Sequence, residues 1–206
     1  DFSVTYTLTD EDLRIDYEAV SDKKTVINLT NHSYFNLAGE DSGKVVDQYL
    51  KLNSRFTTKV RSDLIPTGEI VPVEGTPFDF REGKPIGQDI DSDDEQMIFG
   101  GGYDHNFVID GYTGDGRLIK AAEVYDPDSG RVMEVLTTVP GIQFYTANGM
   151  VAEGGKKGRT YGPRSAYALE TQFFPDNVHH DNFPKAIFGP GREYVQTTVY
   201  RFPACR

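Results

Sequence analysis

Ser3-Val4-Thr5-Tyr6-Thr7-Leu8-Thr9, then Asp10-Glu11-Asp12, then Leu13-Arg14-Ile15-Asp16-Tyr17-Glu18-Ala19-Val20 is the stretch on which the fold class turns. Each arm alternates polar with apolar or β-branched residues, the period of a strand, and the acidic tripeptide between them suits a hairpin turn. The expectation is a half-buried antiparallel pair. Similar short runs recur at 26–29, 48–52, 56–60, 70–73, 107–109, 118–125, 131–138, 142–145, 167–172 and 193–202, separated by Gly, Pro and Asp turns. Pro66-Thr67-Gly68-Glu69 reads as a turn, Pro72 places its run at a sheet edge or strand end, and residues 74–102 read as one long excursion. No amphipathic helix and no internal repeat stand out. Many close-spaced strands predict an all-β chain, an antiparallel sandwich or barrel, forming a single domain over residues 1–206.

Composition narrows the function. A 206-residue chain with 37% hydrophobic residues can bury a real core, and its net charge of -11 argues against a nucleic-acid groove or an anionic membrane surface. The only cysteine, Cys205, allows no internal disulfide, so a reducing, cytoplasmic setting is the simpler expectation. Because the strand pattern is already running at Asp1, the chain reads as starting part-way through a larger unit.

Two stretches carry the candidate chemistry. In Leu29-Thr30-Asn31-His32-Ser33-Tyr34-Phe35-Asn36-Leu37 a histidine stands among amides, hydroxyls and aromatics after a strand-like run, too polar a neighbourhood for ordinary core. In Ala168-Leu169-Glu170-Thr171-Gln172-Phe173-Phe174-Pro175-Asp176 a carboxylate sits in an apolar strand. Glu170 faces either solvent or a cleft, and in a cleft desolvation would make it a usable base near neutral pH. Asp104 follows three glycines, where backbone can approach a ligand. Gln143 is either a cross-strand partner or a donor to a ligand hydroxyl. Metal-like patterns fail on inspection. Asp89, Asp91 and Asp93 open like a calcium loop, but Asp94 and Gly100 occupy the positions that need glycine and glutamate. His179-His180 lacks a second ligand pair for zinc. Asn28-Leu29-Thr30 and Asn31-His32-Ser33 match the glycosylation pattern, one that chance often produces. There is no phosphate-cradling glycine-lysine loop and no serine elbow.

The chain resembles the aldose 1-epimerase (galactose mutarotase) family from about Ser3 to Phe202. The blocks that carry the resemblance are 28–37, Pro66-Thr67-Gly68, Phe78-Asp79-Phe80-Arg81, Gly102-Tyr103-Asp104-His105-Asn106, 140–148, Leu169-Glu170-Thr171-Gln172 and 197–202. The resemblance implies the family's antiparallel β-sandwich, with a hexose such as galactose or glucose across one concave face. It implies His32 as general acid, Glu170 as general base, Asp104, Gln143 and Tyr34 as sugar-binding residues, and no metal or other cofactor. It also implies an N-terminal portion with an Asn-Arg pair and a second active-site histidine, which this sequence lacks. Exposed sheet edges and possible self-association through them are therefore expected. Two alternatives stand beside the enzyme: a catalytically weakened carbohydrate-binding or regulatory module, and a hexose-phosphate epimerase, for which Arg81, Arg159 and Arg164 form no evident cluster.

Overall fold

The structure, a computed structural model, describes residues 1–204; Cys205, the basis of the compartment expectation, lies outside the described residues. In chain order the strands are β1 (Phe2–Leu8), β2 (Asp12–Ala19), β3 (Thr25–Val26), β4 (Tyr34–Phe35), β5 (Tyr49–Leu52), β6 (Phe56–Val60), β7 (Pro66–Pro72) and β8 (Lys84–Pro85). After the short helix α1 (Glu95–Gly100) come β9 (Asp104–Val108), β10 (Ile119–Tyr125), β11 (Val132–Thr137), β12 (Gly141–Tyr145), β13 (Tyr167–Gln172), β14 (Ile187–Phe188) and β15 (Tyr194–Arg201). A seven-stranded sheet in the order β1-β2-β15-β11-β10-β5-β8 packs on a six-stranded sheet in the order β4-β13-β12-β9-β6-β7, and β3 pairs with β14. Every pairing is antiparallel. The all-β sandwich expected from the alternation is the fold observed.

The core is aromatic. Phe80, Tyr103, Phe107 and Phe144 are fully buried, with Phe80 and Phe144 meeting edge-on at 5.6 Å and Tyr103 and Phe144 at 5.1 Å. Rings of this size contribute both area and specific geometry to the layer between two sheets.

Several sequence expectations are corrected. The first hairpin is half-buried only in β2, where Ile15, Tyr17 and Ala19 are buried; every residue of β1 is exposed, and its apolar row Phe2, Val4, Tyr6 and Leu8 faces solvent. The row stands opposite buried residues, Val4 against Tyr17 and Tyr6 against Ile15. The core-facing side of the sheet thus runs on past its cover. Residues 66–69 are not a turn but the start of β7, with the reversal at 61–65, where Arg61 N–H bonds Ile65 O and Leu64 takes φ 64°. Pro72 does end an edge strand. The 74–102 excursion holds β8 and α1, a helix too short for its period to register. Asp94 caps α1 by accepting from Gln96 N–H at 2.8 Å, and Gly101 ends it in the left-handed region.

The expected strand at 26–29 stops at Val26. From there side chains replace the ladder. Asn28 makes a reciprocal pair with the Phe173 backbone, at 2.9 Å in each direction, and Thr30 Oγ1 donates to Thr171 O at 2.9 Å. Tyrosines of the other sheet hold the same segment: the Tyr194 hydroxyl accepts from Leu29 N–H, and Asn31 lies between Tyr17 and Tyr200. The asparagines of both glycosylation-like tripeptides are therefore structural fasteners. Together they present His32.

Candidate active site

Register places the site. In an antiparallel sheet, directly opposed residues share a face. Gln143 pairs with Asn106 on one side and Glu170 on the other, while Tyr145 pairs with Asp104 and Ala168, and Ala168 with Tyr34. Two rows result on the outer face of the six-stranded sheet, Asn106-Gln143-Glu170 and Asp104-Tyr145-Ala168-Tyr34. His32 lies two residues before Tyr34, so continuing that register sets it beside Glu170.

The predicted pair is in direct contact: His32 Nε2 lies 3.2 Å from Glu170 Oε1, the imidazole half-exposed and the carboxyl nearly buried. Gln143 Nε2 donates to Asp104 Oδ1 at 2.8 Å, across the two rows. The His32 ring stacks obliquely on Tyr34 at 4.8 Å and meets Tyr145 edge-on at 6.0 Å. All five predicted residues therefore converge on one face.

Burial pushes the Glu170 carboxyl above the usual range; the adjacent His32 pulls it partly back, and Asp104 adds to the rise. Asp104 is likewise raised by burial, against the Gln143 hydrogen bond and the field of His32. The Tyr34 hydroxyl is raised by burial and by Tyr145, Glu170 and Asp104, which keeps it a donor. Glu170, at 9% exposure, is therefore not on a solvated face. Its burial disfavours the ionised form.

A wall bounds the face. A Cβ on Gly141 would stand 2.8 Å from Phe174 Cδ1 and closer still to Asn106 Oδ1, so Phe174 lies over Gly141 beside Asn106. Phe174 meets Phe183 edge-on and Phe183 lies tilted against His180, whose Nδ1 would be 2.6 Å from a Cβ on Gly68. Asn182 completes the crossing with a bond to Gly68 O at 2.9 Å. Segment 174–183 thus runs across the β12 to β7 half and leaves the half at β13 and β4 open.

The other candidates are engaged elsewhere. His179 and His180 both pair with Asp176, Asp89 with Lys84, and Asp91 with Arg164. Among the described residues no three His, Cys, Asp or Glu side chains form a metal-holding group. Arg81, Arg159 and Arg164 bind three separate acids, Asp79, Asp41 and Asp91, and so form no phosphate cluster. Sequence reasoning missed Tyr145, which the two-residue period from Gln143 would have placed on the same face.

Fold and site together define an antiparallel β-sandwich with an imidazole–carboxyl pair and a braced carboxylate on one open face. The family model for aldose 1-epimerase matches residues 1–201, and the chain belongs to that family. It is 42% identical over 200 residues to galactose mutarotase of Homo sapiens, a match covering 97% of this chain and 56% of the relative. It is 36% identical over 206 residues to aldose 1-epimerase of Haemophilus influenzae, covering 98% and 59%. Among solved structures, a GalM/aldose epimerase homologue from C. elegans superposes with a TM-score of 0.86 at 31% identity, covering 98% of this chain and 59% of that one. The chain thus spans a little over half the length of these relatives.

Proposed function

We propose that the chain interconverts the α and β anomers of hexoses such as galactose and glucose, with His32 as general acid, Glu170 as general base, and Asp104, Gln143 and Tyr34 holding the sugar. The observation that carries this reading is the 3.2 Å contact between His32 and Glu170 on the face where Gln143 braces Asp104. Glu170 takes the proton of the anomeric hydroxyl, the electrons left on that oxygen form the aldehyde, and the bond from C1 to the ring oxygen breaks. Protonated His32 delivers its proton to the ring oxygen. Rotation about C1–C2 and reclosure, with both transfers reversed, give the other anomer. The hydroxyl and ring oxygens share one carbon, so an acid and a base that touch each other can reach both. Positioned acid–base groups each supply about 10²–10⁴-fold, and no step calls for a metal or nucleotide.

Polarimetry on freshly dissolved α-D-galactose tests the proposal: acceleration that His32→Ala removes supports it. Binding of galactose at the uncatalysed rate would replace it with the carbohydrate-binding module, a reading favoured by the half-exposed His32 and Tyr34. A cytoplasmic setting accords with a single cysteine, and among the described residues no helix is long and apolar enough to cross a membrane. The uncharged, fully exposed edge strand β1 also supports self-association. Light scattering at rising concentration should show it, and Val4→Lys should suppress it.

A further inference from the structure

The β6–β9 ladder carries only two registered pairs, Phe56 with Val108 and Thr57 with Phe107, although β6 continues to Val60 and β9 begins at Asp104. In the opening, side chains take the place of backbone partners. Val60 N–H donates to Gln96 Oε1 at 2.7 Å, and Gln96 Nε2 donates to Val60 O at 3.0 Å. The same happens at Asp104. Thr146 N–H bonds Tyr103 O on the β12 side, so by the alternation of antiparallel bonds the Asp104 amide turns away from β12, toward the opening. There it donates to Nδ1 of its neighbour His105, at 3.1 Å.

That bond decides the state of the ring. A nitrogen that accepts from N–H carries no proton, so the neutral imidazole bears its hydrogen on Nε2. His105 is 1% exposed, and burial pushes it down to about 4 against the opposing pull of Asp94, so it stays neutral at physiological pH. Its position is fixed by Phe78, edge-on at 4.7 Å, and by Gly100, where even a Cβ would come within 3.3 Å of Cε1. The Nε2–H is buried with no acceptor among the described residues. A phenyl ring would fill this space without an unpaired donor, and a buried unpaired group in a native fold calls for a reason.

We infer that His105 is a positioning residue for the sugar-binding carboxylate: its Nδ1 anchors the Asp104 amide where the β6–β9 ladder is open, and this sets the Asp104 carboxylate against Gln143. The inference rests on the proposed role of Asp104, so its test includes readouts that do not need sugar. Three variants separate the ring's contributions. His105→Phe keeps the volume and removes the acceptor, His105→Asn puts a carbonyl near the place of Nδ1, and His105→Gln puts one near Nε2.

Long-range nitrogen–proton spectra of the wild type should show the Nε2–H tautomer throughout pH 5–8. Carbon NMR should show the Asp104 carboxyl titration displaced in His105→Phe and His105→Gln and restored in His105→Asn, with each variant still melting cooperatively. In an active or sugar-binding chain, KM or the galactose Kd should rise about tenfold in His105→Phe, the scale of one lost hydrogen bond, with kcat changing less. An Nδ1–H tautomer, or an Asp104 titration identical in His105→Phe and wild type, overturns the inference. A wild type that neither binds nor converts sugar overturns the function proposal instead, and the two NMR readouts still decide the role of His105.

Discussion

Replacing Glu170 by glutamine should stabilise the protein while disabling it, and the stabilisation should depend on pH in a defined direction. Glu170 is buried on the sheet face, and burial is the largest cause of its raised pKa, with His32 opposing and Asp104 reinforcing. A carboxyl whose folded pKa lies above its unfolded value of about 4.3 favours folding while both states hold the proton. That contribution is full below the unfolded value and disappears as pH rises through the folded one. Glutamine has no proton to lose and escapes the change. Each unit of elevation corresponds to about 1.4 kcal/mol, or about 3–6 °C in Tm for a chain of this size. Scanning calorimetry should therefore find Glu170→Gln and wild type melting together near pH 4 and the variant melting higher at pH 8. Polarimetry on the same samples should show a loss of about 10²–10⁴-fold in rate. Parallel melting curves across pH, or a variant less stable at pH 8, would refute the claim that ionised Glu170 is held at a cost.

Two further perturbations test the scaffold under the site. Gly141→Ala forces a methyl against Phe174 and Asn106 and should lower stability by about 1–3 kcal/mol, whereas Gly149→Ala, with open space around it, should change calorimetric stability by less than about 0.5 kcal/mol. Gln96→Ala strips both backbone groups of Val60 of their partners and should cost about 1–3 kcal/mol; hydrogen exchange at the Val60 amide should quicken more than at Thr57, inside the registered ladder.

Where a strand is buried on one face, alternation reveals it, as in β11; β6 and β13 also span the runs expected at 56–60 and 167–172, although β13 is buried on both faces. Where the backbone is held by side chains, period fails. Residues 27–33 have a strand's apolar lead-in yet bond through Asn28 and Thr30 to the Phe173 and Thr171 backbone, through the Leu29 amide to Tyr194, and through Asn31 to Tyr17 and Tyr200. Except for Tyr17, these partners lie more than a hundred residues away, where no local rule reveals them. The five candidate residues were singled out through motif, and their common face follows from period: once β12 and β13 pair at Gln143 and Glu170, counting by twos brings Asp104, Tyr34 and His32 onto the same side. His105 was not legible as a participant, because its role arises from a ladder that stops short, a fact of three-dimensional splay rather than of spacing.

The site's asymmetry follows from which elements build it. Glu170, Asp104 and Gln143 sit on interior strands of the six-stranded sheet, and the two acids are held in places that disfavour their charge. His32 and Tyr34 stand at or before β4, a two-residue edge strand, and remain about half exposed. A base benefits from desolvation because its proton affinity rises, whereas an imidazolium, which gives up its proton on ring opening and regains it on reclosure, benefits from water that solvates its charge. The division of roles proposed here matches that division of exposure, with the base on the inner strand and the acid on the rim. With no sugar in place the two groups satisfy each other at 3.2 Å. In the proposed reaction an anomeric centre entering from the open side would exchange that contact for one oxygen on each partner, so that base and acid would each reach one of the two oxygens between which a proton is moved.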